Sequence, residues 1–370
     1  MNVFADLHHG DLYYSLHLLF EKRLGGQLFR PIGLDWFKKG FWKLAEPYGN
    51  APDTLNQYLE VPPANKECIV EKCEKVQIND FYHLPVSKPH ILQKYGETQL
   101  IDDVYYIPVK TPDGYYIQKA ITLKKFLEMD IDYVIATLDR DEKPYSELVS
   151  KYKPNAKFIF QLGNVGWKPT CAKNVLLARN TSIPSNVNYI KYHPEHHESY
   201  CYTPPINHNV IKTFINCLFE FPESLAWLNK YEGFLPELTW KIHGILNKDN
   251  AVPNELMPQA MKESAFCWHV KSHCGGGFVA RQAMACGRPP IIRSSYAEKN
   301  DSLETDLYED SINCIDLDLG TEEENIKKIR YFMQPENHLR LCENTVKDFN
   351  QKVNFNIEAE QIRIWLEGLR

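Results

Sequence analysis

The chain has no apolar run approaching the ~18 residues that a membrane span requires. Its start, MNVFADLHHG, lacks the basic residues and long apolar core of a secretory signal, so a cytoplasmic location is expected. Ten cysteines are present, yet no two stand in a Cys-x2-Cys pair, which excludes a zinc ribbon. Reduced thiols follow from the expected compartment. Internal repeats and low-complexity segments are lacking. Positive charge is not in excess: 42 Lys and Arg face 48 Asp and Glu, a net −6 at pH 7. That argues against a strongly basic nucleic-acid binder and leaves room only for a local basic patch. The dinucleotide fingerprint Gly-x-Gly-x-x-Gly is missing as well.

What is present is ordinary for a globular protein. Hydrophobic residues make up 44% and aromatic residues 12% of the 370, with 21 Tyr and 7 Trp. This length suits two or three domains, each with ample apolar material for a core.

The order of elements predicts a parallel α/β protein. Asn2–Leu7 is a short apolar run ending in His8-His9-Gly10, and Leu12, Leu16, Leu19 and Phe20 then recur at helical spacing to Gly25-Gly26. A strand, tight loop and helix place His8, His9, Gly10 and Asp11 at a strand's carboxyl end, where such folds carry their chemistry. Residues 105–117 read as a hairpin turning at Pro112-Asp113-Gly114. Residues 133–137 are a strand ending near Asp139, followed by a helix over 145–152 and a strand over 157–161. A short strand is expected over 188–191. Residues 193–205 (HPEHHESYCYTPP) read as an exposed linker, whose His193, His196 and His197 mimic a metal cluster only on paper. A second α/β half follows, with mixed strand and helix signals over 210–221. The end carries Ile362, Trp365, Leu366 and Leu369 on one helical face.

The strongest chemical signal lies at 265–292. An apolar strand (AFCWHV) feeds Lys271-Ser272-His273-Cys274-Gly275-Gly276-Gly277, which opens directly into a helix over 278–286. Glycines let backbone N–H groups approach a ligand, and a helix N-terminus carries partial positive charge. Together they suit an anion such as a diphosphate, or merely a tight strand–helix turn. His273 is placed to donate to a phosphate oxygen, and Gln282, one turn into the helix, to meet a ribose hydroxyl.

The run SHCGGGFVARQAMACGRPPII resembles the donor-site segment of nucleotide-sugar glycosyltransferases of GT-B architecture. Many of these carry a Gly-rich turn followed by Glu-Ala-Met-Ala-Cys-Gly-x-Pro-x-Ile, against Gln282-Ala283-Met284-Ala285-Cys286-Gly287-Arg288-Pro289-Pro290-Ile291 here. The resemblance implies two Rossmann-like domains, over 1–204 on the acceptor side and 205–353 on the nucleotide-sugar side. It also implies a C-terminal helix over 354–370 that packs back on the first domain. Retaining families place two Glu at the positions held here by Cys274 and Gln282, so retention and inversion both stay open. The Arg and Lys that usually bind the diphosphate have no clear counterpart, and Lys241 and Arg281 are the substitutes. The implied donor set is Gly10, Lys241, His273, Gly275, Gly276, Gly277, Arg281 and Gln282, with a UDP-sugar as expected co-substrate and no further cofactor.

Glycosyl transfer leaves negative charge on the departing diphosphate, which backbone donors and helix dipoles stabilise without a metal, so none is expected. An inverting enzyme also needs a base for the acceptor hydroxyl. His8, His9, Asp11 and Asp139 are the candidates, and of the adjacent His8 and His9 at most one faces a cleft. Residues 22–43 set Lys22, Arg23, Arg30, Lys38, Lys39 and Lys43 among Phe29, Trp36, Phe37, Phe41 and Trp42. Arg30, Trp36, Lys38, Lys39 and Trp42 are therefore candidate acceptor residues for an anionic acceptor, such as a hydroxymethylated base in DNA. A solvated basic face over an aromatic core fits the same pattern. The layout is shared by a non-catalytic nucleotide-sugar binder and by a sugar-nucleotide epimerase, so fold alone does not select the reaction.

Overall fold

The computed structural model describes residues 1–6, 10–31, 99–121, 123–244, 247–273 and 277–370. Two sheets are present among them. The first has the order β3-β4-β5-β2-β1-β6-β7-β8-β9. Its centre is β1 (Asn2–Ala5), flanked by β2 (Gln27–Pro31) and β6 (Tyr133–Ala136), both parallel to it. β7 (Lys157–Leu162), β8 (Asn174–Leu177) and β9 (Asn188–Lys191) extend it in parallel. On the other side, β5 (Gly114–Ile121) pairs with β2, and antiparallel β4 (Val104–Thr111) and β3 (Gln99–Ile101) finish the sheet.

Strand alternation explains why this sheet is covered on both faces. Phe4 packs with Phe126, Val134, Tyr145 and Phe160 on one side. Val3 and Ala5 pack with Leu16, Phe20, Ile135 and Leu176 on the other. The helix α1 (Gly10–His17) continues through π-type turns over Leu18–Arg23 and stops before Gly25, whose φ of 65° suits a residue without a side chain. α2 (Leu123–Glu128) and α3 (Asp139–Tyr152) follow β5 and β6.

The second sheet has the order β11-β10-β12-β13-β14 and is parallel throughout. Its strands are β10 (Val210–Thr213), β11 (Thr239–Ile242), β12 (Phe266–Trp268), β13 (Pro290–Ile292) and β14 (Ile315–Asp316). α4 (Pro222–Phe234), α5 (Met257–Lys262), α6 (Gly277–Ala285) and α7 (Ser294–Lys299) connect them, and α8 (Glu322–Met333) and α9 (Pro335–Lys352) come after. In both sheets the first strand of the half lies between the strand that follows it and a later one, so strand order reverses there. Crevices of α/β sheets open at the carboxyl ends of strands at such a reversal.

Three features depart from expectation. β8, β14, α8 and α9 are additional to the elements expected: the two strands are very short, whereas α8 and α9 bury Ile329 and Phe332, and Leu341, Thr345 and Phe349, at helical spacing beneath highly charged outer faces. α8 is nonetheless well begun: Thr321 and Glu324 form a reciprocal capping box. The mixed stretch 210–221 resolves into β10 and a 3-10 turn over Leu218–Glu220, separated by Cys217 at φ 52°. The segment 193–205 is irregular but not an exposed linker, since His197 and Tyr200 are buried.

The chain ends in α10 (Phe355–Leu369), which crosses back to the first sheet. Ala359, Ile362 and Leu366 join the cluster around Val3, Ala5 and Ile135. The Tyr133 hydroxyl donates to the Leu366 carbonyl at 2.8 Å. Asn354 starts the helix by accepting from the N–H groups of Asn356 and Ile357. Leu366→Ala should therefore destabilise the protein by about 2–5 kcal/mol, read as a lower denaturant midpoint with an unchanged slope.

Candidate active-site cleft

α6 is the element that the glycine-rich turn is expected to open. Its first residue, Gly277, has φ 76°. Ala280, Ala283 and Met284 are buried in the core, which turns Arg281 and Gln282 toward the first half of the chain. The tail of the motif holds the helix rather than a ligand. Gly287 has φ 67°, and a Cβ there would lie 2.4 Å from the Tyr202 ring. Arg288 is fully buried and donates to the carbonyls of Thr203 at 2.9 Å and Lys262 at 2.7 Å.

Two cavities flank Phe278, which lines both. The larger, about 220 Å³, includes Arg179, Lys271, Gly277, Arg281 and Glu304 in its wall. Arg179 follows β8 in the first half and is 2% exposed, whereas Arg281 stands on α6 and is 4% exposed. Arg281 Nε lies 3.1 Å from Glu304 Oε1, and its guanidinium sits 5.1 Å from the Phe278 ring centroid. Arg179 donates to the Asn300 carbonyl and lies 3.6 Å from Asp301. Arg179 Nε and Nη1 and Arg281 Nη1 are buried without a hydrogen-bond partner. Burial pushes the Arg179 guanidinium below its usual pKa, against the pull of Asp301 and Glu304. Buried cationic donors in surplus are what an anionic ligand satisfies.

The smaller cavity, about 70 Å³, lies between α1 (Gly10, Asp11, Tyr14), the tip of the β4–β5 hairpin, residues 195–200 and Gln282. Beneath its first wall, Asp6 accepts from the Thr137 N–H at 2.8 Å and from its hydroxyl, joining β1 to β6 at the reversal point. His197 is locked on both nitrogens: Nε2 is 2.8 Å from Asp113 Oδ1, and Nδ1 accepts from the Ser199 N–H at 3.0 Å. His193 Nδ1 is 2.8 Å from Glu358 on α10. The histidines of HPEHH thus brace the cleft wall, which corrects their reading as exposed.

The predicted residues divide accordingly. Gly10, Asp11 and Gln282 line the smaller cavity, and Gly277 and Arg281 the larger. His273 is exposed, bonded to the Ser272 hydroxyl at 2.6 Å and stacked on Phe221, and lines neither. Lys241 is exposed on the edge strand β11, and Asp139 is exposed at the start of α3; neither lines these cavities. Arg30 is not on a basic surface: it is fully buried in β2 and donates to Gln118 Oε1 at 2.7 Å, so it offers nothing to an acceptor. His8, His9, Gly275, Gly276, Trp36, Lys38, Lys39 and Trp42 lie outside the described residues. Sequence reading missed Arg179, Lys271, Tyr14, Tyr116 and Glu195. The turn after β8 was the one available signal for Arg179, and that strand is short.

No family model matches the sequence, and no curated protein does. Solved structures do match in fold. HepE from Anabaena in complex with UDP-glucose superposes with a TM-score of 0.53 at 12% identity, over 99% of both chains. A point mutant of S. aureus TarM, in complex with fondaparinux, alpha-GlcNAc-glycerol and UDP, gives 0.56 at 10%, over 99% of both. A glycosyltransferase from Rickettsia africae gives 0.52 at 12%, over 100% of this chain and 98% of that one. The fold is that of the GT-B glycosyltransferases.

His196 tests how tightly the cleft wall is packed. Its ring meets Tyr200, Phe349 and Phe355, and its Nε2 is buried without a partner. Burial lowers its pKa from 6.5 to about 4. The unfolded chain then binds the proton more readily, so stability holds above about 6.5 and is lost as pH falls toward 4. Equilibrium denaturation should show a lower unfolding free energy at about pH 5 than at about pH 7, and His196→Phe should reduce that difference by about 1–2 kcal/mol.

Proposed function

We propose that the protein is a glycosyltransferase that moves a sugar from a nucleoside-diphosphate sugar to a hydroxyl acceptor. The observation that carries this reading is the larger cavity, where buried Arg179 and Arg281, from opposite halves of the chain, keep unpaired N–H donors beside the start of α6. A diphosphate satisfies those donors, and its charge is complemented by Lys271 and the helix dipole. The UDP-glucose held by HepE and the UDP held by TarM support a uridine nucleotide. On this reading residues 205–353 hold the donor and 1–204 the acceptor, with 354–370 tying the two together.

The chemistry follows from charge. As the bond from the anomeric carbon to the diphosphate breaks, negative charge grows on the phosphate oxygens, and Arg179, Arg281 and the α6 N-terminus stabilise it. Gln282, predicted to meet a ribose hydroxyl, instead lines the smaller cavity beside Asp11, where its amide can accept from or donate to a sugar hydroxyl. Asp11, on the opposite wall, binds the acceptor hydroxyl and takes its proton as the new glycosidic bond forms. Glu195 is unsuited to that task, because Arg23 holds both of its oxygens at 2.6 and 2.5 Å.

Calorimetry with UDP and UDP-sugars should show binding that Arg179→Ala weakens by about tenfold or more, while the variant unfolds at nearly the native temperature. Unchanged affinity for every nucleoside diphosphate would refute the donor site. Asp11→Asn should keep donor affinity and lower turnover by about a hundredfold or more, measured as sugar release from labelled donor in the presence of an acceptor pool.

A further inference from the structure

The smaller cavity differs from the larger in the sign of its lining charge: Lys110 stands against Asp11 and Glu195, whereas Arg179, Lys271 and Arg281 outnumber Asp301 and Glu304. Lys110 on the hairpin tip is 2.5 Å from Glu255 of the second half. Glu195 is held by Arg23. His197 is tied to Asp113, leaving Asp11 as the wall's carboxylate with no ion pair among the described residues. Tyr14, Tyr116 and Phe278 give the rest of the wall an aromatic face, beside the polar Thr111, Asn254 and Gln282. Tyr14 meets Tyr116 edge-on with centroids 4.8 Å apart, and stacks on His197 at 5.8 Å. Gln118 donates to the Tyr116 hydroxyl while accepting from buried Arg30, so the Tyr116 ring is fixed by the same network that removes Arg30 from solvent. Phe278 completes the set from α6.

We infer that this cavity is the acceptor subsite and that it takes a neutral carbohydrate. The inference rests on the donor reading above and names the acceptor class for the same cleft. A pyranose has an apolar C–H face that packs on Tyr14, Tyr116 and Phe278, and an equatorial rim of hydroxyls that Asp11 can accept from. A polyanion has nothing to gain here: among the described residues Lys110 is already paired with Glu255 and Arg23 with Glu195, and the residual charge is negative. The β4–β5 hairpin forms the roof, held down across the cleft by Lys110–Glu255, which places the sugar between that tip and α1.

Saturation-transfer NMR on the full chain, with UDP present, tests this with methyl glucopyranoside, methyl galactopyranoside and methyl mannopyranoside as probes. At least one should receive saturation at its ring C–H protons. Tyr116→Ala should reduce that signal by about fivefold or more, and Tyr116→Phe should retain it. Thermal unfolding of Tyr116→Ala near the native temperature shows that the variant is folded. As a second variant, Tyr14→Leu reads the same contact if Tyr116→Ala unfolds. Signal from none of the glycosides, signal unchanged in the folded variants, or preferential binding of a duplex DNA or a Ser/Thr peptide overturns the inference. Donor binding is measured separately by UDP calorimetry. UDP binding without glycoside binding removes only the acceptor class, and glycoside binding without UDP binding removes only the donor reading.

Discussion

β1 is the constraint from which the rest of the architecture follows. Val3, Phe4 and Ala5 are each fully buried, with the sheet covered on both faces. A strand buried on both sides cannot slip by one residue without exchanging every contact from one core to the other. Its register therefore sets where α1 leaves the sheet, and α1 presents Asp11 and Tyr14 to the cleft. The same burial leaves one face of the first half needing a cover, which α10 supplies with Ile362 and Leu366. The last residues of the chain thereby stabilise the element that begins the site.

The cleft divides its chemistry by electrostatics. On one side of Phe278 two arginines are buried with N–H donors that no described group accepts, an arrangement that costs free energy unless an acceptor meets them. On the other side, among the described residues, Lys110 is paired with Glu255, Asp11 has no ion pair, and Tyr14, Tyr116 and Phe278 supply aromatic surface. The two environments stand within one groove because α6 contributes Arg281 to the first and Gln282 to the second. Adjacent residues on a helix point about 100° apart, so one turn of one helix serves both. This is why the motif is compact in sequence although the site is not.

Within the motif, roles separate by position. Gly277 opens α6 in a conformation that favours glycine and lies beside the cavity. Gly287 closes the helix against Tyr202, where any side chain would collide, and Arg288 is consumed by backbone carbonyls. The residues that make the motif recognisable are thus in large part those that build the turn-helix-strand unit. Fewer of its positions face the cavities: Gly277 and Arg281 line the larger and Gln282 the smaller.

Much was legible from local pattern alone. The alternation of apolar strands and helices, the hairpin turning at Pro112–Gly114, the start of α6 at Gly277 and the amphipathic face of α10 depend on neighbours within a few residues, so they are written in order along the chain. The placement of Asp11 and Gln282 on a cavity wall follows from the same local order, since Asp11 stands in the first turn of the helix after β1 and Gln282 in the helix after β12. Tertiary structure alone decided the fate of the charges. Arg30 looks like part of a basic surface and is instead buried against Gln118. His193 and His197 look like a metal cluster and instead brace the wall through Glu358 and Asp113. Arg179 carries no local signal and shares a cavity wall with Arg281. Burial and pairing arise between residues far apart in sequence, and only the packed fold determines which charge is buried and which partner it meets.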